Sequence, residues 1–179
     1  MIEVEAKIKI KSPSEFREKI KKLAKFVKKE KKVDDYYTLE SLKKYPRKSL
    51  RIRMLNGHYE VNIKKRVSLV NGVHAKKEVE LNSSEKDLPT FLEIIKDFGF
   101  KKWLRKDKTT ELYRIRKNFN IEINYVKRLG WFLEVEYLAT KKEMKKARGE
   151  VLKVVKKLGI NEKNIIKDGY TKILWDLKH

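Results

Sequence analysis

The 179 residues contain no cysteine, and 47 Lys+Arg against 25 Asp+Glu give a formal net charge of +22. This composition excludes disulfides, zinc-thiolate sites and thiol nucleophiles, and it creates a field that attracts polyanions such as nucleic acid, polyphosphate or nucleotides. No stretch approaches the roughly 20 apolar residues of a membrane helix, so the expectation is one domain over residues 1–179, cytoplasmic and without membrane contact.

From residue 1 to about 11 the chain alternates as a strand does. Glu3, Glu5 and Lys7 share one face, while Ile2, Val4, Ala6, Ile8 and Ile10 share the other. Carboxylates this close repel unless a cation sits between them, and a hard divalent cation such as Mg²⁺ takes one or two carboxylates with phosphate oxygens and water. Ser12-Pro13-Ser14-Glu15 then reads as a capping box with Pro at the first helical position. Phe16, Ile20, Leu23 and Val27 follow at helical spacing, so the lysines from Lys19 to Lys32 read as that helix's solvated face.

Short strands are expected near 33 to 40, 49 to 56, 59 to 66 and 74 to 82, with Asn56-Gly57 and Asn71-Gly72 as hairpin turns. A second helix over about 85 to 98 carries Leu88, Phe91, Leu92 and Ile95 on one face and stops at Gly99. Three strands follow, near 103 to 117, 119 to 127 and 131 to 139. Thr140-Lys141-Lys142-Glu143 caps a third helix, striped by Met144, Ala147, Val151, Val154 and Leu158 and ended by Gly159.

Charges recur at every second position of these strands: Arg51 with Arg53, Asn62 with Lys64, Glu78 with Glu80, Glu122 with Asn124, and Glu134 with Glu136. A solvated sheet face would alternate in the same way. Eight or so antiparallel strands, however, are too many for one flat sheet in so small a chain, and three apolar helix stripes need an apolar sheet surface to cover. The pattern therefore predicts an α+β fold: a closed or nearly closed antiparallel eight-stranded β-barrel with a charged interior, covered outside by α-helices. Inward arginines and lysines would grip phosphate, and inward carboxylates would hold a metal that bridges its oxygens. Tyr36, Tyr37, Tyr45 and Trp103 are open to two readings, stacking on a ligand or packing at the tunnel mouth.

The order of these motifs resembles the CYTH family, the triphosphate tunnel metalloenzymes. Glu3-Val4-Glu5-Ala6-Lys7 is similar to its opening E-x-E-x-K, Asp34-Asp35-Tyr36-Tyr37 to D-x-Y-F, and Leu50-Arg51-Ile52-Arg53 to L-R-I-R. Val61-Asn62-Ile63-Lys64 fits a strand ending in a tunnel lysine, and Glu78-Val79-Glu80 a central acidic pair. Leu129-Gly130-Trp131-Phe132-Leu133-Glu134-Val135-Glu136 resembles L-G-x-F-x-E-x-E, and Gly169-Tyr170-Thr171-Lys172-Ile173-Leu174 resembles S-Y-x-x-L-L.

The resemblance implies that Glu3, Glu5, Glu134 and Glu136 ligate Mg²⁺ or Mn²⁺ and, with Lys7, carry catalysis. It implies a substrate grip of Lys7, Arg51, Arg53, Lys64 and Lys108, with Tyr36, Glu78 and Glu80 beside it. The implied ligand is a small triphosphate (tripolyphosphate, ATP or thiamine triphosphate), with nucleic acid a lesser partner and a monomer or homodimer as the assembly. The implied reaction is triphosphate hydrolysis, with adenylyl cyclisation or non-catalytic binding of polyphosphate or RNA as alternatives. Two positions depart from the family pattern: Thr110 stands where K-x-R has its arginine, and Asn124 where an aspartate is usual. Arg105, Lys106, Arg114 or Arg116 could supply the missing cation through a shifted register.

Overall fold

A computed structural model describes residues 1–55 and 58–179. Among them eight strands form a closed barrel: β1 Ile2–Ile10, β2 Lys25–Thr38, β3 Leu50–Leu55, β4 His58–Val70, β5 Val73–Ser83, β6 Lys101–Arg116, β7 Phe119–Val126 and β8 Gly130–Ala139. Their order around the barrel is β1-β5-β4-β3-β2-β6-β7-β8, and every neighbouring pair is antiparallel. The helices are α1 Ser14–Lys21, α2 Leu88–Asp97, α3 Met144–Lys157 and α4 Tyr170–Asp176, with a short 3-10 turn at Glu162–Asn164.

The main core lies outside the barrel. Ala147, Val151, Val154, Val155 and Leu158 of α3 pack against Val4, Ala6 and Ile8 of β1 and Leu133 and Val135 of β8, the outward halves of those alternating strands. Each fully buried Val or Leu there stabilises by about 1.5–3 kcal/mol at most. A smaller cluster joins Ile95 of α2 to Ile52 and Val61, with Leu88, Phe91 and Leu92 at its margin. Farther along β4 and β5, Ile63, Val79 and Leu81 stay exposed on the outer face.

Several local signals act as their chemistry dictates. Asn71 and Gly72 both have positive φ (52° and 77°), the geometry of the two-residue turn whose twist suits a hairpin. At Gly72 a Cβ would lie 2.8 Å from Cγ2 of Ile165, so the position also needs a missing side chain. Gly99 and Gly159 take φ of 86° and 77° just past α2 and α3. Thr140 donates its backbone N–H and its hydroxyl to Oε2 of Glu143 (3.0 and 2.6 Å), which orders the turn ahead of α3. The expected Asn56-Gly57 turn lies outside the described residues.

Two expectations need correction. The first helix stops at Lys21 and a strand begins at Lys25, so Val27 and the lysines from Lys25 to Lys32 lie on β2. β2 pairs with β6 from Lys25↔Arg114 to Thr38↔Lys101, and this long ladder overrides the helical preference of a lysine run. Past Gly159 the sequence offers no periodic element, yet the chain turns back to the barrel. Ile165 bridges to Ile8, and the N–H of Ile166 donates to the carbonyl of Lys7 at 2.8 Å. These contacts set α4 at one end of the barrel, where Tyr170 and Leu174 pack with Leu104, Val126, Leu129 and Phe132.

Candidate active site

The inward positions of the strands line a cavity of about 780 Å³. Among its walls are Glu3, Glu5 and Lys7 of β1, Arg51 and Arg53 of β3, Lys64 and Arg66 of β4, His74, Lys76 and Glu78 of β5, Lys106 and Lys108 of β6, Glu122 of β7, and Glu134 and Glu136 of β8. Parity places them: side chains two apart on a strand share a face, and directly opposed residues share it across the ladder. Glu3 opposes Lys76, Glu5 opposes both His74 and Glu136, Lys7 opposes Glu134, and Lys64 opposes Glu78.

The charges are sorted along the axis. β1 passes from Glu3 and Glu5 to Lys7, and β4 from Glu60 through Asn62 to Lys64 and Arg66. β5 is antiparallel to both, and in the same spatial direction it passes from Glu80 and Glu78 to Lys76 and His74. Along these three strands carboxylates thus lie toward one end and cations toward the other, the end where α4 sits and where Tyr45, Arg47, Gly169, Thr171 and Lys172 line the cavity mouth, while the ladder still sets Glu3 beside Lys76 and Lys7 beside Glu134.

Most cations of the tunnel wall are held by acid. Lys64 Nζ lies 3.0 Å from Glu3 Oε2 and also pairs with Glu78. Lys7 Nζ lies 3.1 Å from Glu134 Oε1 and 3.7 Å from Glu5 Oε1, and 4.2 Å from the centre of the Tyr170 ring. Asp34 is fully buried and accepts two bonds from Arg53 (2.7 and 3.0 Å), with Lys106 at 2.8 Å. Arg51 pairs with Glu60, and Lys76 with Glu5. Lys108 lies 3.0 Å from Glu122 and 3.5 Å from Glu134. Lys64 keeps a third of its side chain accessible, the most of the cations expected to grip a ligand.

Proton affinities follow from this sorting. Burial raises the Glu3 carboxyl well above its ordinary value, against the pull of Lys64, and Glu5 and Glu136 add to the rise. Burial, with Glu122, Glu5 and Glu134 nearby, pushes Glu136 up to about 8. Glu5 goes the other way, because Lys7 and Lys76 more than offset its burial. At the cationic end, burial lowers Lys106 to about 7 despite Asp34, and Arg53, Lys108 and Arg51 contribute.

Every residue expected in the site lies on these walls except Glu80, which is exposed beyond the carboxylate end. Glu80 still meets Glu60 and Glu78, whose carboxylate oxygens lie with its own within 4.8 Å of one another; no other such trio of acids occurs among the described residues. The missing cation needs no shifted register. Lys106 is two residues before Lys108 on the same inward face, whereas Arg105, Arg114 and Arg116 are exposed or face other elements. Tyr36 lines the tunnel, but Tyr45, Trp103 and Trp175 pack edge to face at 5.7–6.1 Å, the packing alternative for the aromatics.

The two departures from the family pattern meet each other. Thr110 opposes Asn124, and its hydroxyl donates to Asn124 Oδ1 at 2.7 Å. Asn124 Nδ2 in turn donates to Glu134 (2.7 Å) and Glu122 (3.1 Å). A neutral pair here orders two carboxylates. Residues at the site without an assigned role in the sequence reading include Asp34, Glu60, Lys76, Lys106, Glu122 and Tyr170, of which the sequence offers Lys106 only through a shifted register and Glu122 only as an alternating charge. Parity could have found the first five, each two residues from a position already chosen or named; Tyr170 reaches the tunnel only through the return of the C-terminal segment.

The carboxylate side fits a hard divalent cation. Burial, with neighbouring carboxylates, raises Glu3 and Glu136 above their ordinary range despite Lys64, and Glu5 is their inward neighbour. Glu134 is more engaged, with Lys7, Lys108 and Asn124 all on its oxygens. An all-oxygen donor set of this kind suits Mg²⁺ or Mn²⁺.

Known proteins share this architecture. A family model described as the CYTH domain matches residues 1–170. A Methanocaldococcus jannaschii protein bearing the name "putative adenylate cyclase" is 31% identical over 177 residues, covering 97% of this chain and 98% of its own. A solved Pyrococcus horikoshii structure is 29% identical with a TM-score of 0.77, covering 98% of this chain and 99% of that one. A solved Hippeastrum structure, presented as a "putative adenylyl cyclase" with a dominant triphosphatase activity, is 18% identical with a TM-score of 0.65, covering 96% and 93% of the two chains.

Proposed function

The chain belongs to the CYTH family, and from that premise we propose that it is a divalent-metal-dependent hydrolase of a small inorganic or organic triphosphate. The sorting of charge along the tunnel carries this reading, because a phosphate chain and its metal need opposite partners a short distance apart. Lys7, Arg51, Arg53, Lys64, Lys106 and Lys108 would bind non-bridging phosphoryl oxygens. Glu3, Glu5 and Glu136 would hold Mg²⁺ or Mn²⁺, with Glu134 beside them. When bound, the metal would neutralise charge on phosphoryl oxygens and polarise the phosphorus toward attack.

The protein's own groups do the positioning. Asp34 and Glu60 fix the guanidiniums of Arg53 and Arg51, so these donors are aimed before the ligand arrives. Water attacks the terminal phosphorus and loses a proton to solvent, the bridging P–O bond breaks, the terminal phosphoryl departs as orthophosphate, and the diphosphate leaving group carries away the bond electrons against the cationic wall.

A second reading, adenylyl cyclisation, is favoured by the name of the 31% identical relative. It requires a seat for adenine, and the mouth offers Tyr45 and Pro46 among mostly charged neighbours. Incubation with tripolyphosphate, ATP and thiamine triphosphate in Mg²⁺ or Mn²⁺, followed by product separation, decides between them. Release of phosphate without cyclic AMP is the expected result; cyclic AMP with pyrophosphate from ATP overturns it.

A further inference from the structure

His74 belongs to none of the roles above, yet it faces the tunnel on β5 and is 1% exposed. Both of its ring nitrogens are buried without a hydrogen-bond partner. Buried polar atoms are nearly always satisfied, and two orphaned nitrogens on the wall of an anion-binding tunnel mark a place where a ligand group completes the shell. The field around the ring says which group. Among the charges that act most on it, Lys76, Lys7 and Arg66 outnumber the one carboxylate, Glu5, so cations predominate there.

The position along the axis is as informative. Arg66 lies two residues past Lys64 on β4, one pleat repeat or about 7 Å farther toward the cationic end. His74 lies two residues past Lys76 on β5 in the same direction. Arg66 opposes Lys76, which places it diagonally from His74 across the β4–β5 ladder. Arg66 and His74 therefore lie on neighbouring strands one pleat repeat past Lys64 and Lys76, on the side toward Lys7. A ribose or a neutral base gains nothing from excess positive charge, whereas a phosphoryl oxygen gains a guanidinium and an imidazole N–H donor.

We propose that Arg66 and His74, with Lys76 beside them, form an additional anion subsite that takes a fourth phosphoryl group, so that the tunnel prefers chains of four phosphates to chains of three. This rests on the triphosphate reading of the grip and adds to it a chain-length preference. An imidazole gives the subsite a donor without another full charge, and Arg66 supplies the charge that the extra phosphoryl needs.

The test is calorimetric titration of the full chain with tripolyphosphate, tetrapolyphosphate, ATP and adenosine 5′-tetraphosphate, without metal so that turnover does not intervene. The fourth phosphoryl is expected to tighten binding by about tenfold in both the inorganic and the nucleoside pairs, the order of one charge-assisted hydrogen bond. Arg66→Ala and His74→Gln should each erase most of that gain while leaving the tripolyphosphate affinity within about twofold, which also certifies that the variants are folded. Equal affinity of the wild type for three and four phosphates, or variants that weaken both ligands alike, overturns the subsite. Failure of tripolyphosphate to bind while tetrapolyphosphate binds, with the gain lost in the variants, supports the subsite and instead defeats the triphosphate grip. Failure of all four ligands to bind defeats both.

Discussion

Glu136 has no basic side chain within 4.0 Å among the described residues, and burial beside Glu122, Glu5 and Glu134 is what raises its proton affinity. If its carboxylate is a metal ligand, Glu136→Gln should lower kcat by at least about 100-fold, the scale seen when one preorganised electrostatic contact is removed. Because the amide replaces a carboxyl whose charged form burial disfavours, the melting temperature of the metal-free variant should hold or rise. Full activity in Glu136→Gln excludes it from the metal set. Lys106 gives a second residue-level prediction, this time on protons. Its folded-state value of about 7 lies below the ordinary 10.5, so between these pH values the unfolded chain binds more protons and stability rises with pH through the window. An anion placed beside Lys106 raises that value again, so ligand binding near pH 8 should take up a proton. Calorimetry in buffers of different ionisation enthalpy measures the uptake, and Lys106→Met should remove this contribution while leaving the ligand's own titration. At this scale the sequence was readable wherever parity applied: Glu3, Glu5, Lys7, Arg51 and Lys64 all face the tunnel as alternation requires. Parity cannot reveal which acid meets which base, so the claims of Lys7 and Lys108 on Glu134 were hidden until the strands were set in register.

At the scale of elements, β6 and β7 carry the neutral Thr110–Asn124 pair between charged neighbours. Asn124→Asp would put a third carboxylate against Glu122 and Glu134, replacing the amide that now donates to both. That variant should lose about 2–3 kcal/mol in denaturant unfolding. Adding Thr110→Arg supplies the opposing cation and should recover much of the loss, with a coupling energy of about 1 kcal/mol or more in the double-mutant cycle. Strict additivity would mean that the two positions do not act as a pair. Local signals identified elements where the chemistry was local, as at Asn71-Gly72, Gly99 and Gly159. They failed for β2, since Phe16, Ile20, Leu23 and Val27 satisfy a helical spacing that the barrel interrupts after Lys21. α4 was illegible for a related reason: its placement depends on a bridge from Ile165 to Ile8, remote in sequence.

For the whole molecule, the excess of 22 positive charges works at distances that individual contacts do not reach. Capture of a highly charged anion should therefore depend on ionic strength more than chemistry in the bound state does. Raising an indifferent salt from about 0.05 to 0.5 M should lower kcat/KM for tripolyphosphate several-fold and change kcat little, as exposed charges become screened beyond about 4–14 Å. A salt-independent kcat/KM would limit the field to a solubility role. Barrel closure was legible from the number of short strands and the need to cover apolar helix stripes, both properties of the complete chain. The axial sorting of charge was not, because antiparallel strands write the same spatial order forwards in β1 and backwards in β5.

That sorting also acts on the symmetry of what enters. Tripolyphosphate is unchanged when turned end for end, and in water its two terminal phosphorus atoms give one ³¹P resonance. Inside a tunnel whose wall runs from Glu3 to Lys7 along β1 and from Glu60 to Arg66 along β4, the termini can no longer be equivalent. The bound molecule should give two terminal resonances, and rapid exchange with free ligand should merge them. Either terminus can be the one cleaved, so an uncapped chain has two productive ways to load where a chain capped at one end has one.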